Sequence, residues 1–172
     1  MPKSVSISPV EVRKSGSLEL QPIPVNQYQK SLKDELVGTW VFVSANDTRP
    51  DGSRVDRWGP GGKGMLVFDQ SGRFIQIISR GDLPKFAANR VDQGTADENK
   101  AVMQGLIALF GKYAVNESGK TLTSTIEGGS FPNLVGNAQT RIITTLTADE
   151  LRYTNPSTTT GSRSEVTWNR AR

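Results

Sequence analysis

The chain has no histidine and no cysteine among its 172 residues. Any proton transfer or nucleophilic attack it performs therefore falls to carboxylates, lysine, tyrosine, arginine or hydroxyls. Glu127, Tyr113 and Arg141 are the candidates, because they sit on three successive predicted strands that neighbour one another in a meander. Facing an apolar interior, Glu127 would hold its proton more tightly unless Arg141 restored its charge. Such a carboxyl is an acid/base, and the Tyr113 hydroxyl beside it could donate to an oxyanion. The same residues also read as a structural ion pair or as solvated outer side chains. A register shift of one residue turns each to the other face.

A second group of residues suggests binding rather than reaction. Phe131-Pro132-Asn133 follows a strand and two glycines, which places it at the rim of a sheet. Phe131 and Asn133 are read as lining a pocket mouth, with Asn133 anchoring a carbonyl or hydroxyl; the other reading is a rigid turn set by Pro132. Trp58, Met65 and Ile77 are assigned to the same ligand-facing surface, and Val67, Ile75, Ile142 and Leu146 to lining or core. Gly59-Pro60-Gly61-Gly62-Lys63-Gly64 resembles a phosphate loop only superficially. Arg57 stands where its first glycine belongs, no Ser or Thr follows Lys63, and a strand rather than a helix comes next. No metal and no cofactor is expected.

Charge narrows the partners. Lys and Arg number 21 against 17 Asp and Glu, a net +4, with no basic stripe interleaved with aromatics. A nucleic-acid groove is not expected. Nor is a membrane partner, since no stretch reaches the roughly 20 apolar residues of a spanning helix. The first residues lack an apolar run of signal-peptide length. The expectation is a cytoplasmic protein, and an exported chain with its leader removed would read the same. The triplets Asn46-Asp47-Thr48 and Asn116-Glu117-Ser118 are read as incidental.

The elements that must position these residues are mostly strands. β-branched and aromatic runs punctuated by turn residues fall at 39–45, 64–69, 73–80, 113–116, 120–127, 139–147, 151–154 and 164–170. Short turns such as Gln70-Ser71-Gly72 and Glu117-Ser118-Gly119 join several of them into hairpins. Thr95-Ala96-Asp97-Glu98 has capping-box spacing. It opens one helix over Ala96–Ile107, between the third and fourth strands, placed to lid an open end. Residues 1–35 form an N-terminal arm, partly disordered and rich in proline, with an edge strand around Val5–Val12; residues 36–172 form one domain.

Gly38-Thr39-Trp40 opens the first strand, and Trp168-Asn169-Arg170 closes the last. This resembles the lipocalins, whose opening Gly-x-Trp plugs the barrel floor beneath a basic residue from near the last strand. Trp58-Gly59-Pro60, Gly64 to Phe68, Ser71-Gly72-Arg73, Phe110 to Tyr113, and Glu127 to Gly136 followed by Gln139 and Arg141 are similar to the lipocalin-like domain family of bacteria and fungi. The resemblance implies an all-β fold: an eight-stranded antiparallel up-and-down barrel with Trp40 and Arg170 in a structural role. The leading expectation for function is a protein that binds a small, mostly apolar molecule inside the barrel. The alternative is a cofactor-free isomerase, cyclase or lyase that confines a hydrophobic substrate against Glu127, Tyr113 and Arg141. A homodimer, in which the arm adds a strand to a neighbouring subunit, stays open.

Overall fold

Side chains alternate between buried and exposed along every long strand, as expected where one face of a sheet meets a core and the other meets water. The computed structural model describes residues 30–172; the arm of residues 1–28, with its expected edge strand, lies outside the described residues. The ring strands are β1 (Gly38–Thr48), β3 (Lys63–Phe68), β4 (Arg73–Ser79), β5 (Leu106–Asn116), β6 (Thr121–Gly129), β7 (Ala138–Leu146), β8 (Glu150–Asn155) and β9 (Arg163–Arg170). Each pairs antiparallel with the next, and β1 pairs with β9 from Trp40↔Arg170 to Thr48↔Arg163, which closes the barrel. The two-residue β2 (Arg54–Val55) only hooks onto the end of β1.

Two helices flank the ring. α1 (Leu32–Leu36) carries a capping box between Ser31 and Asp34 and docks at one end, so the last residues of the predicted arm belong to the folded unit. In α2 (Ala96–Gly105), Thr95 Oγ1 accepts from the Glu98 amide at 3.2 Å and Glu98 accepts from the Thr95 amide at 2.8 Å. This helix follows β4, between the third and fourth ring strands. It ends two residues short of the predicted Ile107, because Leu106 and Ile107 are already paired with Ser79 and Ile78 of β4.

The closed end is built on Trp40, which has no solvent exposure. Its Nε1 donates to the Leu36 carbonyl at 2.9 Å. The Arg170 guanidinium lies 4.0 Å from the ring centroid, an arrangement that contributes about 0.5–2 kcal/mol. Arg170 also donates to the carbonyls of Ala148, Val37 and Glu35 at 2.6, 3.0 and 2.6 Å. That ties the C-terminal end of α1 to the β7–β8 turn. Gly38 makes the approach possible: with φ at +137°, a Cβ there would lie 2.6 Å from Arg170 Nη1. Leu36 in this floor and, beyond it, Leu66, Phe68, Leu122, Ile126, Leu151 and Trp168 are fully buried.

A β-bulge between Phe42 and Ser44 shifts the facing of β1. Trp40 and Phe42 point inward before it, and Ala45 and Asp47 after it. The bulge thereby delivers a carboxylate to the interior near the open end.

Candidate functional site

The open end is shaped by the loop before β3, the ends of β4 and β6, the start of β5, α2 and the loop before β9. Together they enclose a mouth cavity of about 560 Å³ lined by Arg49, Val55, Arg80, Met103, Leu106 and Phe131 among others. It narrows into an inner cleft of about 60 Å³, and Asp47, Arg57, Ile107 and Thr159 line both. The mouth falls within the roughly 300–1,000 Å³ range of pockets that accept small molecules. The cleft is far too small for a molecule of that size.

Each side of the cleft has its own chemistry. Trp58, Ile78, Ile107, Leu109, Leu134 and Val166 supply apolar surface; Gln76, Gln139, Arg141 and Tyr153 supply polar atoms. Trp58 is buried, meets Phe42 edge-on at 6.4 Å and carries the Arg57 guanidinium 4.8 Å from its centroid. Asp56 fixes the turn that presents it, accepting from the amides of Trp58 and Gly59 at 3.1 and 3.0 Å. Burial pulls the Arg57 guanidinium below its ordinary value, and the charge of Asp47 opposes that pull. Asp47 itself is buried and accepts from the Ser164 hydroxyl.

Arg141 is only 3% exposed. Its guanidinium donates to Ser124 Oγ at 3.0 Å and to Gln139 Oε1 at 3.2 Å, and sits 5.5 Å from the Tyr153 ring centroid. The Tyr153 hydroxyl donates to Gln76 at 3.4 Å. Burial raises the pKa of that hydroxyl, and the nearby Arg141 charge partly offsets the rise.

The structure separates the residues expected to form a catalytic cluster. Only Arg141 lines the cleft. Tyr113 points inward near the floor, where its hydroxyl donates to the Asp69 carbonyl at 2.7 Å and its ring meets Phe68. Glu127 stands on the outer wall, paired with Arg73 at 2.9 Å and Lys112 at 3.7 Å. The reason is parity: Ser124 and Ile126 take the inward positions of β6. No one cavity brings these three side chains together.

The ligand-facing set divides in the same way. Trp58 lines the cleft and Phe131 the mouth. Asn133 is exposed in a 3-10 turn (Pro132–Leu134) and accepts from the Asn137 side chain through its backbone oxygen; Leu134 enters the cleft instead. Met65 and Ile77 are 51% and 45% exposed on the outer wall, opposite each other in the β3–β4 ladder. They are corrected from pocket lining to outer surface, because Leu66, Phe68, Phe74, Gln76 and Ile78 occupy the inward parity. Ile75 and Ile142 face outward with them, whereas Leu146 packs against the core. Asp47, Arg57, Gln76, Gln139 and Tyr153 went unrecognised in the sequence. The inward alternation running through Phe74, Gln76 and Ile78 was the signal available for Gln76. Among the described residues, no group of three or more carboxylates is placed to hold a metal ion, and no helix is long and apolar enough to cross a membrane.

Comparison with known proteins adds a family. The sequence model of the lipocalin-like domain matches residues 37–171. The comparison with curated proteins yields no match. Among solved structures the chain is similar to a redesigned beta barrel, with 16% identity, a TM-score of 0.43, and coverage of 83% of this chain and 100% of that one. It is also similar to bovine odorant-binding protein in complex with its natural ligand, with 18% identity, a TM-score of 0.42, and coverage of 84% and 76%. The same bovine protein in complex with undecanal gives 18% identity and a TM-score of 0.41 over the same shares.

Proposed function

From a chain that belongs to the lipocalin-like domain family, we propose a binding function: the barrel holds one small, mostly apolar molecule at its open end. The observation that carries this reading is the mouth cavity of about 560 Å³ set above a sealed floor. A closed ring of eight strands has room either for packed side chains or for one small ligand. Here the two arrangements share one barrel. Trp40, Trp168, Phe68 and Leu122 fill the lower half, the interior above them keeps a cleft of about 60 Å³, and the larger cavity opens at the mouth. The mouth is walled on one side by apolar Val55, Met103, Leu106, Ile107 and Phe131, which suits a ligand body that loses water on entering. Met103 and Gln104 of α2 form part of that wall, so the helix stands where it can regulate access.

The test is native mass spectrometry of freshly purified protein, joined to titration with N-phenyl-1-naphthylamine, a neutral apolar fluorophore. A retained small molecule, or saturable one-to-one probe binding that weakens in Phe131→Ala, supports the proposal. No retained species together with no saturable binding overturns it.

A further inference from the structure

Arg141 is a cation in the barrel interior with no acidic partner among the described residues. Among the described residues, none of the ion pairs includes it. Its hydrogen-bond partners, Ser124 and Gln139, are both neutral. A guanidinium carries more N–H donors than these contacts use. Taking such a charge out of water costs several kcal/mol, repaid only where an anion and further hydrogen bonds complete its surroundings.

The cleft that Arg141 lines is narrow and sets Gln76, Gln139, Arg141 and Tyr153 among apolar side chains, whereas the mouth outside it is wide and mixes apolar with charged side chains. At about 60 Å³ the cleft holds a group the size of a carboxylate or a few waters at roughly 10–15 Å³ each. Charge favours the anion. Arg80 is paired with Asp82, which leaves Arg49, Arg57 and Arg141 against Asp47 and Asp56 around the combined cavity, an excess of positive charge. Asp47 accepts from Ser164 and Asp56 from the Trp58 turn, so neither pairs with Arg141.

We infer that the inner cleft is a carboxylate site, so that the ligand is an acid-headed amphiphile entering head first. Its carboxylate binds Arg141, Gln139 and Tyr153 line the same cleft, and its apolar body fills the mouth. This rests on the binding function proposed above and names the class of molecule that the site takes. Arg57, stacked on Trp58 at the junction of cleft and mouth, draws the anion inward without being its final partner.

Calorimetry with decanoate and 1-decanol at neutral pH tests this, since the two share a chain and differ in head group. Wild-type protein is expected to bind decanoate roughly tenfold or more tightly than decanol, the range of one charge-assisted hydrogen bond. Arg141→Gln should abolish the preference by weakening decanoate to the affinity of decanol, and Arg57→Gln should reduce the preference less. If Arg141→Gln fails to fold, Arg141→Met takes its place, because exchanging a buried charge for an apolar side chain of similar size is commonly neutral or stabilising. Equal binding of both probes by wild type overturns the carboxylate site and leaves the binding function standing. So does a preference that survives in the Arg141 variant or vanishes only in Arg57→Gln. Binding of neither probe, with no retained species in native mass spectra, removes the binding function itself.

Discussion

An arginine lies over a tryptophan at each end of this barrel, and the two pairs serve different ends. At the floor, Arg170 sits 4.0 Å above Trp40 and donates to three backbone carbonyls. At the mouth, Arg57 sits 4.8 Å above Trp58, and its one hydrogen bond among the described residues is a long one of 3.4 Å to Thr159. The floor pair commits the indole donor and a hydrogen bond from each of the three guanidinium nitrogens to backbone carbonyls, so it is a fixed plug. The mouth pair has donors to spare beside a hollow, so it remains available to an occupant. Residue types alone do not distinguish plug from site; the number of satisfied donors does.

The largest effect should come from deleting the indoles. Trp40→Ala removes a side chain with no exposure from a packed floor, and should cost about 3–5 kcal/mol in urea unfolding. Trp58→Ala opens space that merges with an existing cavity, so water can fill it, and the cost should fall to about 1–3 kcal/mol. It should also weaken N-phenyl-1-naphthylamine binding. Equal costs at the two positions would make the mouth pair as structural as the floor pair and break the comparison.

The arginines come next. Arg170→Ala leaves the carbonyls of Glu35, Val37 and Ala148 without their donor and uncovers Trp40. The expected loss is about 2–3 kcal/mol, since two partly buried carbonyls lose a charged donor and the Trp40 ring loses the cation over it. Arg57→Ala forfeits one weak hydrogen bond, the stacking over Trp58 and the attraction to Asp47, but relieves a desolvated charge, so stability should move by no more than about 1 kcal/mol. Paired denaturation curves of the two variants decide between these expectations.

Alkaline titration sharpens the contrast between floor and cleft. Burial, then the charges of Asp69 and Asp34, push the Tyr113 hydroxyl up to about 12. An unfolded tyrosine releases its proton near pH ~10. Between those values the unfolded state binds fewer protons than the folded state, so stability falls as pH rises. The contribution is fully present below the lower value and is lost through the upper one. Tyr113→Phe should flatten the stability profile across this window. Tyr153, whose shift has the same direction, contributes to the slope that remains. An unchanged slope in Tyr113→Phe would show that the floor tyrosine titrates as it does in water.

How much of this was legible in the sequence follows from the same two ends. The floor announces itself, because Gly38, Trp40 and Arg170 are distinctive residues at the first and last strands of a ring that must close. The strands were legible from composition and turn chemistry, but which residues face inward was not. In β3 and β4 both parities are apolar: Leu66 and Phe68 point in while Met65 and Val67 do not, and Phe74 and Ile78 point in while Ile75 and Ile77 do not. Period-two patterning cannot choose between two apolar sets. On β1, alternation counted from Trp40 would send Ser44 and Asn46 inward. The bulge sends Ala45 and Asp47 instead, and a bulge is defined only against its partner strand. The cleft fell between these two ambiguities.

The smallest effect belongs to the outer wall, at the residue that sequence reading placed nearest the chemistry. Glu127 bridges Arg73 and Lys112 with its side chain about a third exposed. Surface ion pairs of this kind contribute about 0–1 kcal/mol and are screened by salt. Glu127→Gln should therefore lower stability by less than about 1 kcal/mol, and by less again at high ionic strength. Probe affinity and the decanoate preference should match wild type, because a wall of inward-facing Ser124 and Ile126 separates this carboxylate from the cavity. A loss of binding in Glu127→Gln would mean that the outer charge network sets the shape of the mouth. The line drawn between a satisfied periphery and an unsatisfied cleft would then have to move outward across β6.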